Sequence, residues 1–379
     1  MQLSDEQRLV RDSVRDYVRE RVAPFAADWD RDGHFPAVQL REMAELGLFG
    51  MFIPEQWGGS GLDYLSFALA IEEVAAGDGA CSTILSVNNS VVCGLLLASA
   101  SDTLKEKYLR PLAAGEWLGC FCLTEPQAGS DAAALKTRAV REGDEYILDG
   151  SKAFITSGKN ADAAIVFAVT DAQAGKKGIS AFVVPTDTPG YEVGALEQKM
   201  GQRASDTAQV YLKNCRVPAD NLIGAEGEGY RIALSNLEGG RIGIGAQSVG
   251  MARAAYECAL DYARERVSFG KLLIEHQAVG FRLADMAMRL EAARLMVHNA
   301  ARLRDAGEPC LKQASMAKLF ASEAAEKICS DAIQVLGGYG YLRDFPLERI
   351  ARDVRVAQIY EGTSDIQRMI IARQLAAEK

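Results

Sequence analysis

Two consecutive segments near the C-terminus constrain the fold most. Arg282 to Ala306 carries apolar residues at most i, i+3 and i+4 positions and stops before Gly307. Leu311 to Leu336 repeats the pattern and stops at Gly337-Gly338. A glycine just past the last periodic residue is a common helix terminator, because it tolerates the left-handed conformation there. Both predicted helices are long, and their apolar residues lie on more than one side. A surface helix needs only one apolar stripe, whereas a wider apolar surface has to be enclosed by other helices. The last third therefore reads as a helical bundle, buried in part against another subunit.

The first third is also helical in pattern. Ser4 with Gln7 has the form of a capping box, and Val10, Val14, Tyr17 and Val18 then recur at helical spacing. Further helices are predicted from about Ala37 to Leu46, Tyr64 to Ala76 and Asp102 to Ala113, punctuated by Pro54 and Gly58-Gly59. The middle changes to short strand-like runs. Lys136 to Arg141, a Glu142-Gly143-Asp144 turn, Tyr146 to Leu148 and an Asp149-Gly150 turn have hairpin chemistry. Ala164 to Val169, Ile179 to Val184 and Gln209 to Leu212 follow, with an exit at Pro218. The expected class is α+β multidomain: a helical domain over 1–119, a β domain over 120–226 and a helical bundle over 227–379. The 379 residues suit two or three domains at roughly 150 residues each. No internal repeat is visible.

Composition narrows the function classes. With 49% hydrophobic residues and no low-complexity tract, general disorder is excluded. The most apolar stretches, such as Ser90 to Ala100, are about half the roughly 20 residues needed to span a bilayer, so no membrane span is expected. A net charge of −9 argues against broad nucleic-acid binding but allows an anionic small ligand held by local cations. The eight cysteines form no CxxC spacing and only three histidines accompany them, so no metal site is expected. Scattered thiols suggest a reducing compartment. The N-terminus carries Asp5 and Glu6 in an amphipathic pattern rather than an apolar leader, so the expected address is cytoplasmic.

Four segments hold candidate chemistry, and each has a plainer alternative. Phe121 to Asp131 contains Ala128-Gly129-Ser130, small residues that admit close backbone approach and could cradle a phosphate; it also reads as an ordinary loop. Gln334 to Tyr341 ends a helix with three glycines, more than a C-cap needs, yet lacks the strand and helix of a dinucleotide fingerprint. Ile359 to Gln367 sets Glu361 beside Gly362 at a turn, with Thr363 as a possible N-cap, and Glu361 alone also reads as a solvated charge. Arg241 and Arg266, the latter followed by Phe269, suit either a pyrophosphate or helix-surface ion pairs.

Taken together, these segments resemble the acyl-CoA dehydrogenase family over nearly the whole chain. The resemblance rests on Cys122-Leu123-Thr124-Glu125 to Asp131, on Gln334 through Gly337-Gly338-Tyr339-Gly340 to Arg349 and Asp353, and on Ile359 to Gln367, in that order. It implies three domains, the middle one β-barrel-like and the last a four-helix bundle, with FAD as cofactor. It implies oxidation of an acyl-CoA to the trans-2-enoyl-CoA, with Glu361 as the base for the α-proton and the β-hydride passing to the flavin. A carboxylate in a closed apolar pocket has a raised pKa, which suits that task. Some relatives carry the base just before an arginine on a bundle helix; here that place is Gly240, before Arg241, which cannot serve.

By the same resemblance, Phe121, Leu123, Thr124, Phe154, Ile155 and Thr156 would meet the flavin, with Gly129 and Ser130 near a phosphate group. Phe154 stands where many relatives have Trp. Arg266, Ser268, Phe269, Gln277, Gln334, Gly337 and Gly338 would reach the cofactor from a neighbouring subunit, and Thr363 and Asp365 would flank it. Ser130, Glu238, Arg241, Tyr360 and Gly362 would contact substrate. Shared cofactor sites imply a homotetramer built as two dimers, with electron-transfer flavoprotein as electron acceptor. Ser86 to Ser90 and Gly240 to Ile244 resemble the short-chain, butyryl-CoA branch, with short branched chains next. The same chemistry serves fatty-acid β-oxidation and branched-chain amino-acid breakdown. An oxidase using oxygen, or a non-catalytic acyl-CoA-binding protein on the same fold, would be the alternatives.

Overall fold

A computed structural model describes residues 2–378; Met1 and Lys379, the outer ends of the expected domain spans, lie outside them. Helix α1 (Asp5–Arg21) starts on the capping box: the Ser4 hydroxyl accepts from the Gln7 amide and the Gln7 side chain accepts from the Ser4 amide. Helices α2 (Ala26–Asp32), α3 (Ala37–Glu45) and α4 (Tyr64–Gly77) follow. Helix α5 (Gly79–Ser86) continues through a π-helical turn, Val87–Cys93, into α6 (Gly94–Ser99). Helix α7 (Asp102–Leu104), a second π turn and α8 (Arg110–Ala113) cover the helix expected from Asp102.

The run Gly79–Ser99 corrects one expectation. It has 21 residues with a mean hydropathy of 1.6, so by length and apolarity it is long enough to cross a membrane. In the fold, 89% of its most apolar window is buried. Its two asparagines tie it to neighbouring backbone. Asn88 Nδ2 donates to the Phe49 and Leu112 carbonyls and its Oδ1 accepts from the Gly119 amide at 2.9 Å. Asn89 accepts from the Met51 amide at 2.8 Å.

Strands β1 (Gly119–Cys122), β2 (Arg138–Glu142), β3 (Glu145–Thr156), β4 (Ala163–Val169), β5 (Ile179–Pro185), β6 (Tyr191–Leu196), β7 (Thr207–Pro218) and β8 (Leu222–Ile223) form one sheet. One half runs β6-β7-β3-β2; the other holds β1, β4, β5 and β8; the pairing of Arg138 with Val169 joins them. Tyr146, Leu148 and Val210 from the first half share a core with Cys120, Val166 and Phe182 from the second. Two half-sheets closed over one apolar core make the middle of the chain barrel-like.

The predicted turn at Asp149-Gly150 is not a turn. Both residues lie inside β3, where its register against β7 slips between Leu148 and Gly150. A Cβ at Gly150 would come within 2.7 Å of Thr137 Cα, so the glycine lets the bulged strand pass a neighbouring backbone. The strand consequently reaches 12 residues and carries Lys152 to Thr156 onward in extended form.

Helix α9 (Gly229–Glu265) has 37 residues, and periodicity does not foresee it. Gly239, Gly240, Gly243, Gly245 and Gly250 interrupt its pattern and lower its helix propensity. Packing overrides propensity here. A Cβ at Gly250 would lie 2.2 Å from the Glu72 carbonyl oxygen, and one at Gly243 would lie 2.4 Å from Ser86 Oγ. The glycines thus let α4 and α5 approach the α9 backbone. After the β9 (Val267–Ser268) and β10 (Lys271–Leu272) hairpin come α10 (Gln277–Asp305), α11 (Leu311–Leu336), α12 (Leu347–Val354) and α13 (Ser364–Ala377). Helix α10 starts earlier than the expected Arg282, whereas α11 keeps the expected bounds. Leu65, Phe67 and Ile71 of α4 share one core with Ile242, Val249, Met286 and Val297 of the bundle.

Gly250→Ala is expected to destabilise the protein by about 1–3 kcal/mol, because overpacking against α4 outweighs the roughly 1 kcal/mol gain in helix propensity. Thermal unfolding of the two proteins checks this, and an unchanged or higher midpoint would contradict the packing argument.

Candidate active site

The segment before α13 turns through two left-handed residues, Glu361 (φ 52°) and Gly362 (φ 90°). Glycine accepts this conformation freely; for glutamate it costs on the order of 1–3 kcal/mol and needs support from its surroundings. Thr363 ends the turn as the α13 N-cap, accepting from the Ile366 amide at 3.3 Å. Gln367 Nε2 donates to the Glu361 and Gly362 carbonyls at 3.2 and 2.9 Å. Lys318 Nζ, from α11, donates to the Gly362 carbonyl at 2.7 Å.

The turn aims the Glu361 carboxylate at α9. A Cβ at Gly240 would lie 2.0 Å from Glu361 Oε2 and 3.2 Å from Val91 Cγ1, so any side chain there would displace the carboxylate. Both Glu361 carboxylate oxygens are buried and have no hydrogen-bond partner. Arg241 Nε and Nη1, on the next residue of α9, are also buried and unpartnered. Burial pushes the Glu361 pKa up to about 7, while the Lys318 and Arg241 charges oppose the rise. The structure thus brings Glu361, Gly240, Arg241 and Gly362 together.

The second group of predicted residues lies on the sheet. The Ala153 amide donates to the Thr124 carbonyl at 2.9 Å, which sets the loop after β1 beside the end of β3. Phe154 is 64% exposed at φ 58°, an unusual state for a bulky aromatic. Phe121, Leu123 and Thr124, at the end of β1 and in the loop after it, and Thr156, two residues beyond Phe154, are half-buried. Ile155 needs a correction: its side chain is 1% exposed and packs into the sheet core, so only its backbone can meet a ligand. Gly129 and Ser130 are exposed, and a Cβ at Gly129 would meet nothing within 4 Å. An open aromatic shelf beside an unobstructed loop fits a flat ring and its phosphates.

The third group gathers on the bundle. Arg266, Ser268, Gly337 and Gly338 line an open cleft of about 550 Å³ with Tyr262 and Tyr339. A Cβ at either glycine would meet nothing within 4 Å, so the backbone is free for close approach. Phe269 and Gly270 form the two-residue β9–β10 loop with φ of 49° and 78°. This conformation suits Asn or Gly, yet a 97% exposed phenylalanine occupies its first position. Gln277 and Gln334 are exposed at the start of α10 and in the last turn of α11. Asp365 is exposed on α13 beside Arg368 at 3.7 Å. Two predicted substrate contacts have other partners. The Glu238 carboxylate accepts from Cys310 Sγ at 3.0 Å and lies 3.5 Å from Arg304, and the Tyr360 hydroxyl bonds Gln247 and Gln202.

Glu125 and Lys152 have no expected role in the sequence, yet they form a buried pair. Lys152 is wholly buried and its Nζ donates to Glu125 Oε1 and the Phe167 carbonyl, each at 2.7 Å. Glu125 also accepts from the Lys136 and Thr137 amides at 2.6 and 2.9 Å. Burial favours the neutral Glu125, but Lys152 and these donors win and hold its pKa down at about 2. The signal available in the sequence was a lysine directly before the apolar run Ala153-Phe154-Ile155. Lys152→Met leaves the Glu125 charge buried and unpaired, and should cost about 3–5 kcal/mol in chemical denaturation. A loss within 1 kcal/mol would contradict the pairing.

Three family models cover nearly the whole chain: the N-terminal domain of acyl-CoA dehydrogenase matches residues 4–116, the middle domain 120–215 and the C-terminal domain 227–376. The mitochondrial short-chain specific acyl-CoA dehydrogenase of Homo sapiens is 46% identical over 375 residues, covering 99% of this chain and 91% of the relative. The butyryl-CoA dehydrogenase of Megasphaera elsdenii superposes with a TM-score of 0.98 at 40% identity, covering 99% of both chains. A chain solved in work on the electron transferring flavoprotein of Acidaminococcus fermentans superposes with a TM-score of 0.99 at 42% identity, covering 100% of both. With sequence and backbone in agreement from end to end, the chain belongs to the acyl-CoA dehydrogenase family, FAD-dependent enzymes that dehydrogenate acyl-CoA thioesters.

Proposed function

We propose that the protein oxidises a short-chain acyl-CoA to its trans-2-enoyl-CoA, with Glu361 taking the α-proton and electrons leaving to an electron-transfer flavoprotein. One observation carries the proton step: the Glu361 carboxylate is buried, unpartnered and aimed into the space that Gly240 leaves open. A base in that state has no hydrogen bond to break before it accepts a proton. The neighbouring Arg241 and Lys318 favour the ionised form before reaction.

Bound FAD supplies the acceptor for the β-hydride. Thr124, Phe154 and Thr156 would seat its ring, with Gly129 and Ser130 near a phosphate. Arg266, Ser268, Phe269, Gln277, Gln334, Gly337 and Gly338 stand apart from that shelf in sequence and line the bundle surface; we read them as serving a neighbouring subunit's cofactor in a homotetramer. Thr363 and Asp365 follow the base at the start of α13 and would flank it.

The chain-length proposal rests on the short-chain names of the human and Megasphaera relatives. It favours C4-like chains, with isobutyryl and 2-methylbutyryl next. The acceptor proposal draws on the electron-flavoprotein context of the Acidaminococcus chain. Eight free thiols, seven of them buried, suit a reducing, cytoplasmic setting.

Anaerobic mixing with butyryl-, isobutyryl-, 2-methylbutyryl-, glutaryl- and octanoyl-CoA tests the reading. Butyryl-CoA should bleach the flavin fastest, and Glu361→Gln should keep FAD while slowing bleaching by roughly 10²–10⁴-fold. With a base pKa of about 7, kcat/KM should rise as pH climbs through that value and level off above it. Near-normal turnover in Glu361→Gln would remove the base assignment. Arg266→Ala should weaken FAD retention about tenfold on dilution, since a charge-assisted phosphate contact is lost; unchanged occupancy would count against that role.

A further inference from the structure

Lys318 is wholly buried in the first half of α11, and its ammonium donates at 2.7 Å to the carbonyl of the residue that follows Glu361. Burying an ammonium is costly unless its charge and donors are used. Here they are used on one turn. The Gly362 carbonyl accepts from both Lys318 Nζ and Gln367 Nε2, and the Glu361 carbonyl accepts from Gln367 as well. Glu361 and Gly362 are both left-handed, so this turn needs holding from outside its own backbone.

We propose that Lys318 is a positioning residue for the reaction: with Gln367 it clamps the left-handed Glu361–Gly362 turn so that the carboxylate faces Gly240, and its charge keeps that carboxylate ionised before substrate arrives. The inference rests on the reading of Glu361 as the base. Among the described residues, four groups bear on the Glu361 carboxylate: Arg241 from α9, Lys318 from α11, Tyr64 from α4 and Tyr360 from its own segment. Only the two cations favour ionisation, and of these Lys318 alone also holds the turn. Burial lowers the Lys318 pKa to about 8, against the opposing pull of Glu361, so near neutral pH the ammonium is mostly charged while the carboxylate stands at its midpoint, where loss of the cation shifts it most.

The sign follows from Coulomb attraction. Removing the cation makes the ionised carboxylate less favourable, so its pKa rises and proton abstraction fails at low pH. The test uses FAD-loaded Lys318→Met and Lys318→Gln; the second keeps an amide donor but no charge. The Glu361 carboxyl band, identified by its absence in Glu361→Gln, is titrated by infrared spectroscopy, and the pH profile of butyryl-CoA-dependent flavin bleaching is recorded beside it. Both variants should move the band's midpoint and the acid limb upward by about one pH unit or more, slowing bleaching at pH 6 at least about tenfold. Lys318→Gln should retain more of the plateau rate than Lys318→Met, because it can still engage the turn.

An unmoved midpoint and acid limb in a folded, FAD-loaded variant would overturn the proposal. Failure of both variants to fold or keep FAD would overturn it too, since Lys318 would then serve the bundle rather than the turn. Near-normal bleaching by Glu361→Gln would instead remove the base reading on which the inference rests, so the two failures are distinct.

Discussion

A carboxylate buried without a hydrogen bond is a standing cost to the fold, and the architecture around Glu361 is organised to sustain it. The cost is met by three elements at once. Helix α9 yields space through Gly240, whose missing Cβ would otherwise sit 2.0 Å from Oε2. Arg241 and Lys318 provide positive charge without a direct ion pair that would occupy the oxygens. The left-handed turn fixes the direction, with its carbonyls held by Lys318 and Gln367. The groups involved come from α9, α11 and the segment leading into α13, so the base exists only once the bundle is assembled.

The sheet solves a different problem. A flat ligand needs a rigid surface with its aromatic and polar groups turned outward. The Lys152–Glu125 pair lies beneath this surface and ties the loop after β1 to β3, while Phe154 is left exposed above. Such buried pairs are poor sources of stability, but breaking one is costly, which fixes the loop in one arrangement. The exposed Phe269 and the open glycines at the end of α11 form a separate surface on the bundle. Exposed bulky aromatics in left-handed backbone make little sense for an isolated chain and good sense for a surface that meets a ligand or partner.

Legibility in the sequence followed the range of the forces involved. The α1 cap and the bounds of α11 were readable because capping and apolar periodicity act over a few residues. Helix α9 was not, because glycines such as Gly243 and Gly250 answer to α5 and α4, more than 100 residues away in sequence. Gly150 misled for the same reason: as a dipeptide with Asp149 it has turn chemistry, yet Thr137 across the sheet makes it a bulge. Among candidate site residues, Glu361, Gly240 and Arg241 were legible through a family resemblance rather than through local chemistry, since a glutamate beside a glycine is usually a surface charge.

By itself the sequence determined the α, β, α order, the helical bundle at the end and the segments in which chemistry would be found, because these depend on local pattern and motif. It did not determine the state of the chemical groups. That Glu361 is unpartnered, that Glu238 is engaged by Arg304 and Cys310, that Ile155 faces the core while Phe154 faces out, and that Lys152 and Lys318 carry buried charge were decided by tertiary structure. The physical reason is that a pKa, a hydrogen bond and an exposure are properties of what surrounds a group, and here those surroundings come from segments distant in the chain.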